Sequence, residues 1–268
     1  MNRIFDITSE IIVITGVSGI LGNEYAKYLL NQNSIVIGLD QVQNEKSLKL
    51  FEEFPSKFNF YKCDITSSQS ITSIIKKIVD EIGIPTVLIN NAAIDSPPMS
   101  SHEENGPFEH YPESSWDKVM NVNLKGMFLC CQQFGQLMAK NKNGSIINIS
   151  SIYGMVSPDQ SIYEYRRKKG ENFFKPIAYS VSKSGVLNLT RYIANYWGAS
   201  NIRVNTLTLA GVYNNQDQEF IDQYISRIPI GRMAEPSDYF GALHFLCSKS
   251  SIYMTGSNLV IDGGWTSK

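Results

Sequence analysis

Cysteine is scarce in this chain of 268 residues: only Cys63, Cys130, Cys131 and Cys247 occur. No two form a CxxC pair, and no histidine stands at a zinc-ligand spacing from any of them, so the sequence offers no zinc site and no redox dithiol. Thiols this sparse read as reduced interior residues of a cytoplasmic protein. Net charge is lacking as well. The 24 Lys and Arg nearly cancel the 25 Asp and Glu, leaving a formal charge of -1, and no bulk field draws such a chain to nucleic acid or an anionic membrane. No apolar run approaches the roughly 18 residues of a membrane helix. Residues 1–10 hold charges and no apolar core of a signal peptide. Internal repeats and low-complexity linkers are absent too. What remains is an ordinary globular mix, 43% hydrophobic and 18% charged. A chain of this length buries about three quarters of its unfolded surface and folds without disulfide or metal. One domain over 1–268 is the expectation, with no metal, nucleic-acid or membrane partner.

Short apolar runs alternate with longer amphipathic stretches. Strands are predicted over 11–15, 34–40, 58–64, 86–90, 145–150, 202–207 and 258–262. Several are apolar throughout, as strands buried on both faces of a parallel sheet must be. Helical patterns fill 20–31, 43–54, 67–83, 113–138, 178–198 and 235–246. The alternation predicts an α/β fold, a doubly wound, mainly seven-stranded parallel sheet with helices on both faces and right-handed crossovers. Three stretches interrupt it: 95–112, 157–175 and 211–230, the last with a short helical pattern over 218–227. They follow the fourth, fifth and sixth strands, at the carboxyl edge where open α/β sheets bind ligands, and loops of that length are usually functional.

The first strand runs into Gly16-Val17-Ser18-Gly19-Ile20-Leu21-Gly22, three glycines in seven positions at the mouth of a helix. Glycine permits a tight turn and close approach of backbone to a pyrophosphate, and the helix amides, from Ser18 through Leu21, then face phosphate oxygens. Asp40 ends the second strand, 18 positions past Gly22 (40 − 22). A carboxylate there accepts both ribose hydroxyls of an adenosine and repels a 2′-phosphate, which predicts NAD rather than NADP in a Rossmann-type site. Asp64, ending the third strand, is a candidate for the adenine amino group with Ile65 flanking the ring; capping the helix that starts near Ser67 is its other reading.

Tyr179 and Lys183 stand four apart on a predicted helix and share a face. An ammonium beside a phenol favours phenolate and lowers its pKa from about 10, fitting the tyrosine to move a proton to or from a carbonyl-alcohol oxygen.

At these residues the chain resembles the short-chain dehydrogenase/reductase family, and the likeness runs in order along nearly the whole chain. Thr15-Gly16 with Gly22 matches its phosphate turn, Asn90-Asn91-Ala92-Ala93 its NNAG motif, Asn123 its active-site asparagine, Ser150-Ser151 its serine motif, and Tyr179 with Lys183 its catalytic pair. Arg203-Val204-Asn205 matches the entry to its sixth strand, and 229–231 and 255–264 match its C-terminal segment. The resemblance implies that Ser151 binds the substrate oxygen and that Tyr179 is the acid/base. It also implies that Lys183 holds the nicotinamide ribose, that Asn123 holds a proton-relaying water, and that hydride passes to or from nicotinamide. Asn91, Ala92 and the backbone of Val212 join the cofactor contacts on the same ground.

Three departures stand out. The glycine spacing Gly16-x-x-Gly19-x-x-Gly22 is that of the family's longer members. Leu209-Ala210 replaces the family's Pro-Gly after the sixth strand, which predicts a looser loop. Ser151 and Tyr179 lie 28 positions apart (179 − 151), where about 13 is typical by the family motif. The excess is 157–175, which carries Tyr163 and the basic run Arg166–Lys169; Tyr163, Arg166 and Arg167 are candidates to hold an anionic substrate group. That insertion resembles the flagellin-modification protein A type, which implies a phosphorylated or nucleotide-linked sugar in surface-glycan synthesis. A carbonyl reductase for lipid or polyketide ketones and a non-catalytic NAD-binding regulator are the competing readings. The resemblance also implies a homodimer or homotetramer paired through 113–138 and 178–198, with Cys130, Phe134, Leu187 and Tyr192 as candidate contacts; burial in the chain's own core is the other reading of these apolar positions.

Overall fold

Runs rich in Ile, Val and Leu become the strands. In the computed structural model, which describes residues 4–95 and 104–267, seven strands form one parallel sheet: Ile11–Thr15 (β1), Ile35–Asp40 (β2), Phe58–Lys62 (β3), Val87–Asn90 (β4), Gly144–Ser151 (β5), Ile202–Leu209 (β6) and Asn258–Ile261 (β7). Their order is β3-β2-β1-β4-β5-β6-β7. β6 runs two residues past its predicted end because Thr208 and Leu209 pair with Val260 and Ile261 on β7. The chain reverses its direction of travel across the sheet between β1 and β4, and the crevice outside their carboxyl ends is where such sheets take ligands.

Both faces are covered, so neighbouring strand residues are buried on opposite sides. Ile12 and Ile14 face Ile20–Asn31 (α1), Glu45–Glu53 (α2) and Phe240–Cys247 (α9), while Val13 faces Ser68–Glu81 (α3), Met127–Lys140 (α5) and Ile177–Trp197 (α7). This is why the strands read as continuous apolar runs. Cys130 and Phe134 are fully buried in the second of these layers with Ile146 and Val204. They belong to the core and not to a subunit interface; of the four predicted contacts, Leu187 is half-buried and only Tyr192 is exposed.

The helix predicted over 113–138 is not continuous. Glu113–Met120 (α4) passes into a π-helical segment, Asn121–Gly126, before α5 begins. A smaller third cluster lies over the carboxyl edge of the sheet. Ile152, Tyr153, Ile162, Tyr163 and Phe173 pack there against Tyr224, Ile228 and Met233, joining the insertion, with its short helix Glu164–Lys168 (α6), to Gln218–Ile225 (α8). Of the predicted loop 95–112, residues 96–103 lie outside the described residues. Among the described residues no helix is long and apolar enough to cross a membrane, and no group of three or more His, Cys, Asp or Glu is placed to hold a metal.

Candidate active site

A cavity of about 1010 Å³ follows the carboxyl edge of the sheet, from Asp40 at one end to Tyr153, Tyr163 and Phe220 at the other. Its first end is made by backbone. Gly16 has φ +70°, and a Cβ there would lie 2.7 Å from Ala92 Cα. At Gly22 a Cβ would overlap the Gly16 carbonyl oxygen and lie 2.9 Å from Asn91 Nδ2. Gly19 makes no such demand: it is the N-cap of α1, at φ −74°, which accounts for the freedom of the middle glycine. No side chain caps α1 and no acid stands in its first turn, so the amides at Ile20 and Leu21, both on the cavity wall, are left to an anion. Thr15 Oγ1 accepts from the amides of Asn91 (3.1 Å) and Ala92 (3.0 Å), and Asn91 Nδ2 donates to the carbonyls of Thr15 and Gly16. The turn is thereby stapled to β4.

Asp40 is held by both oxygens, Oδ2 accepting from the Ser18 amide (3.0 Å) and Oδ1 from the Gln41 amide (2.7 Å). An uncapped helix end, a cradle that a Cβ would fill and a fixed carboxylate suit the pyrophosphate and ribose of a dinucleotide. Asp64 is not part of this wall. Its Oδ1 accepts from the Thr66 hydroxyl and amide, bonds that hold the carboxyl below its usual range. Ser67, not Asp64, caps α3, and Ile65 alone of this pair lines the cavity.

Midway along the cavity the structure brings together Ser151 at the end of β5, Tyr179 in the first turn of α7 and Lys183 one turn later. Lys183 is 2% exposed, its Nζ donating to the Ile149 carbonyl (2.9 Å) and lying 5.8 Å from the Tyr179 ring centroid. Burial pulls this ammonium down to about 8, with Asp95 pushing the other way. The expected lowering of the Tyr179 pKa is not found. Burial pushes the phenol up, the Asp95 carboxylate adds to that, and a hydrogen bond with Ser151 opposes both. The spacing placed Lys183 correctly; its Nζ, however, is turned to a backbone carbonyl.

Asn123 sits in the π segment, fully buried. Its Oδ1 accepts from the Ile94 amide (2.8 Å), and its Nδ2 donates to the Ile94 carbonyl (2.9 Å) and to Ser182 Oγ (3.0 Å). Ser182 Oγ in turn donates to the Tyr179 carbonyl (2.7 Å). The Asn123 side chain is thus a strut between the loop after β4 and the helix that carries Tyr179 and Lys183.

The far end is made by side chains. Without the family's Pro-Gly, the loop after β6 is pinned by phenols: the Gly211 amide donates to Tyr224 Oη (2.6 Å) and Tyr239 Oη donates to the Ala210 carbonyl (3.1 Å). Val212 bridges to Ala234, so the predicted loosening does not occur. Tyr163 reaches the cavity, its ring 5.0 Å from Phe173 and 5.8 Å from Phe220. Arg166 and Arg167 do not reach it. Arg166 donates to Glu171 (2.6 Å) and lies over Phe173; Arg167 donates to the carbonyls of Phe173 (2.9 Å) and Gln160 (2.7 Å). These guanidinium groups tie the two arms of the insertion together.

The insertion's cation that lines the cavity, beside Lys118 and Lys183, is Lys175, which pairs with Asp95 and places its Nζ 5.3 Å from the Tyr179 ring centroid. Sequence reasoning missed both partners, though Pro176, the N-cap of α7, marked Lys175 as the last loop residue before the catalytic turn. It missed Tyr153 as well, a cavity residue whose buried hydroxyl faces the Tyr163 phenol.

A family model described as enoyl-(acyl carrier protein) reductase matches residues 16–266. The NADH-dependent L-xylulose reductase of Ambrosiozyma monospora is 30% identical, over 98% of this chain and 97% of its own. Post-translational flagellin modification protein A of Campylobacter coli is 30% identical, over 96% and 98%. Among solved structures, a short chain dehydrogenase from Leptospira borgpetersenii with bound NAD+ superposes with a TM-score of 0.85 at 34% identity, covering 99% of this chain and 96% of that one.

Proposed function

Because the chain belongs to the short-chain dehydrogenase/reductase family and is an oxidoreductase of that family, we propose that it interconverts a secondary alcohol and a ketone on a polyol or sugar, with NAD as hydride partner. The observation that carries this is the convergence of Ser151, Tyr179 and Lys183 in the middle of a cavity whose far wall is Asp40. The nicotinamide, when bound, takes the hydride from the substrate carbon or gives it back. Ser151 Oγ holds the substrate oxygen, and Tyr179 Oη accepts its proton in oxidation and returns it in reduction. Lys183 has donors left after its bond to Ile149, and these serve the nicotinamide ribose while its charge favours phenolate.

Asp40 supports NAD over NADP. Its carboxylate is fixed, and Lys62, its register partner on β3, is exposed and off the wall. The Ambrosiozyma relative is named for NADH and the Leptospira neighbour holds NAD+. A substrate with several hydroxyls suits the phenols of Tyr153 and Tyr163 and the Asp95–Lys175 pair on the cavity wall. That pair disfavours a lipid or polyketide ketone, and the presence of both Tyr179 and Lys183 disfavours a non-catalytic regulator. A glycan-pathway sugar is the second reading, favoured by the insertion over 157–175 and the likeness to the Campylobacter protein.

Titration with NAD and NADP, then a screen of polyols, ketoses, hexose phosphates and nucleotide sugars by NADH absorbance, tests the proposal. Tyr179→Phe should lower kcat by roughly 10²- to 10⁴-fold and leave NAD binding unchanged. A fully active Tyr179→Phe enzyme would sink it. We read residues 1–268 as one domain that self-associates through α4, α5 and α7, where Phe128, Tyr192 and Tyr196 are exposed. A monomer in light scattering would overturn that reading.

A further inference from the structure

The insertion over 157–175 ends on Lys175, and its internal contacts converge there. Gln160 grips the Lys175 backbone on both sides, Oε1 accepting from its amide (2.8 Å) and Nε2 donating to its carbonyl (3.0 Å). The Gln160 carbonyl is itself held by Arg167. The Lys175 side chain is 10% exposed and lies over Tyr179, while Asp95, its partner, is 42% exposed on the opposite wall. Of the insertion's cations it is Lys175, and not the run Arg166–Lys169 that the sequence marks for substrate, that lines the cavity.

We propose that Lys175 is a positioning residue of the reaction: by pairing with Asp95 it masks that carboxylate from the Tyr179–Lys183 pair, and the insertion holds it in that place. A carboxylate beside the pair makes phenolate costlier and ammonium more stable, and a cation bound to it offsets part of that field. Asp95 is the one carboxylate, among the described residues, that acts on both groups. The other titratable groups facing them are Tyr153 after β5, Tyr163 in the insertion and Tyr224 on α8. All are phenols kept protonated by burial, so they bring no charge near neutral pH. Among the described residues, the charges at the reacting end are Asp95, Lys175 and Lys183, and Lys118 also lines the cavity.

This rests on Tyr179 and Lys183 being the reacting pair, and its test does not require turnover. In protein labelled with [ε-¹³C]lysine, the Lys183 resonance, assigned by its loss in Lys183→Arg, is titrated by NMR. The wild-type midpoint is expected near 8. Lys175→Met should raise it by roughly 0.5–1 pH unit and Asp95→Asn should lower it by a similar amount, the size of one partly screened charge several ångströms away. The double variant should return towards wild type, and Lys175→Arg should match wild type throughout. Midpoints that do not move, or that move the same way in both single variants, overturn the proposal. So does a Lys175→Met enzyme with an unmoved midpoint and a raised KM for anionic substrates alone, which would make Lys175 a substrate contact. If Lys175→Met does not fold, Asp95→Asn against Lys175→Arg carries the same comparison. Wild-type protein that turns over none of the screened substrates counts against the proposed function and leaves this titration readable.

Discussion

At the Asp40 end of the cavity the contacts are made by backbone. Amides of Ser18 and Gln41 hold the carboxylate, and two glycines let β1, α1 and β4 meet closer than side chains allow. At the Tyr153 end they are made by side chains from segments far apart in the chain: Gln160 on Lys175, Asp95 on Lys175, Tyr224 on Gly211. The first kind of construction depends on a few residue types at fixed spacing and fails sharply when one changes. The second spreads over many modest contacts, and each can change at small cost.

Four substitutions break or sharpen that contrast. Gly22→Ala should be the most damaging, because the new methyl meets the Gly16 carbonyl and Asn91. A loss of about 3 kcal/mol in unfolding free energy and NAD binding weakened more than tenfold are expected from denaturant melts and calorimetry. A variant that bound NAD normally would show that the turn is not limited by backbone approach.

Lys183→Met comes next and has the opposite sign for stability. An ordinary lysine titrates at 10.5 and this one at about 8, so between those values the unfolded chain holds more protons than the native one. Wild-type stability therefore rises with pH across that window, and below it the full cost of burying the charge is present. After allowing for the lost bond to Ile149, the variant should be about 2 kcal/mol more stable at pH 7. That advantage should fade as pH approaches 10.5, as thermal melts across the range would record.

Asp40→Asn should reduce the preference for NAD over NADP by about tenfold, roughly 1.4 kcal/mol, with little effect on melting. Gln160→Ala should be mildest: about 1 kcal/mol of stability, a severalfold rise in KM and unchanged NAD affinity. Were Gln160→Ala to weaken NAD as much as Gly22→Ala, the two ends would not be separate constructions.

The same contrast explains what could be read from the sequence. β1, α1 and Asp40 stand where expected, because parallel strands buried on both faces and a turn without room for a Cβ leave few residues to choose from. Ser151, Tyr179 and Lys183 were legible through the resemblance despite the 157–175 insertion. The Lys175–Asp95 pair was not, since its members lie 80 positions apart and each alone looks like a solvated charge. Arg166 and Arg167 were misread because sequence displays a donor and hides its acceptor, here carbonyls and a glutamate of the same insertion. Cys130 and Phe134 stayed open between an interface and the core because an apolar stripe does not say which neighbour covers it.

The π segment Asn121–Gly126 acts as a phase adjuster. α4 must deliver Asn123 to the Ile94 backbone, and α5 must turn Phe134 and Met138 into the layer beneath the sheet. Each residue of an α-helix advances the side chains by about 100°, and the wider turn absorbs the mismatch between those two headings. Were 121–126 wound as regular α-helix with no residue lost, everything beyond it would turn by about that angle. Asn123 and the core face would then be out of step, so the chain could keep every side chain and still part Asn123 from Ile94.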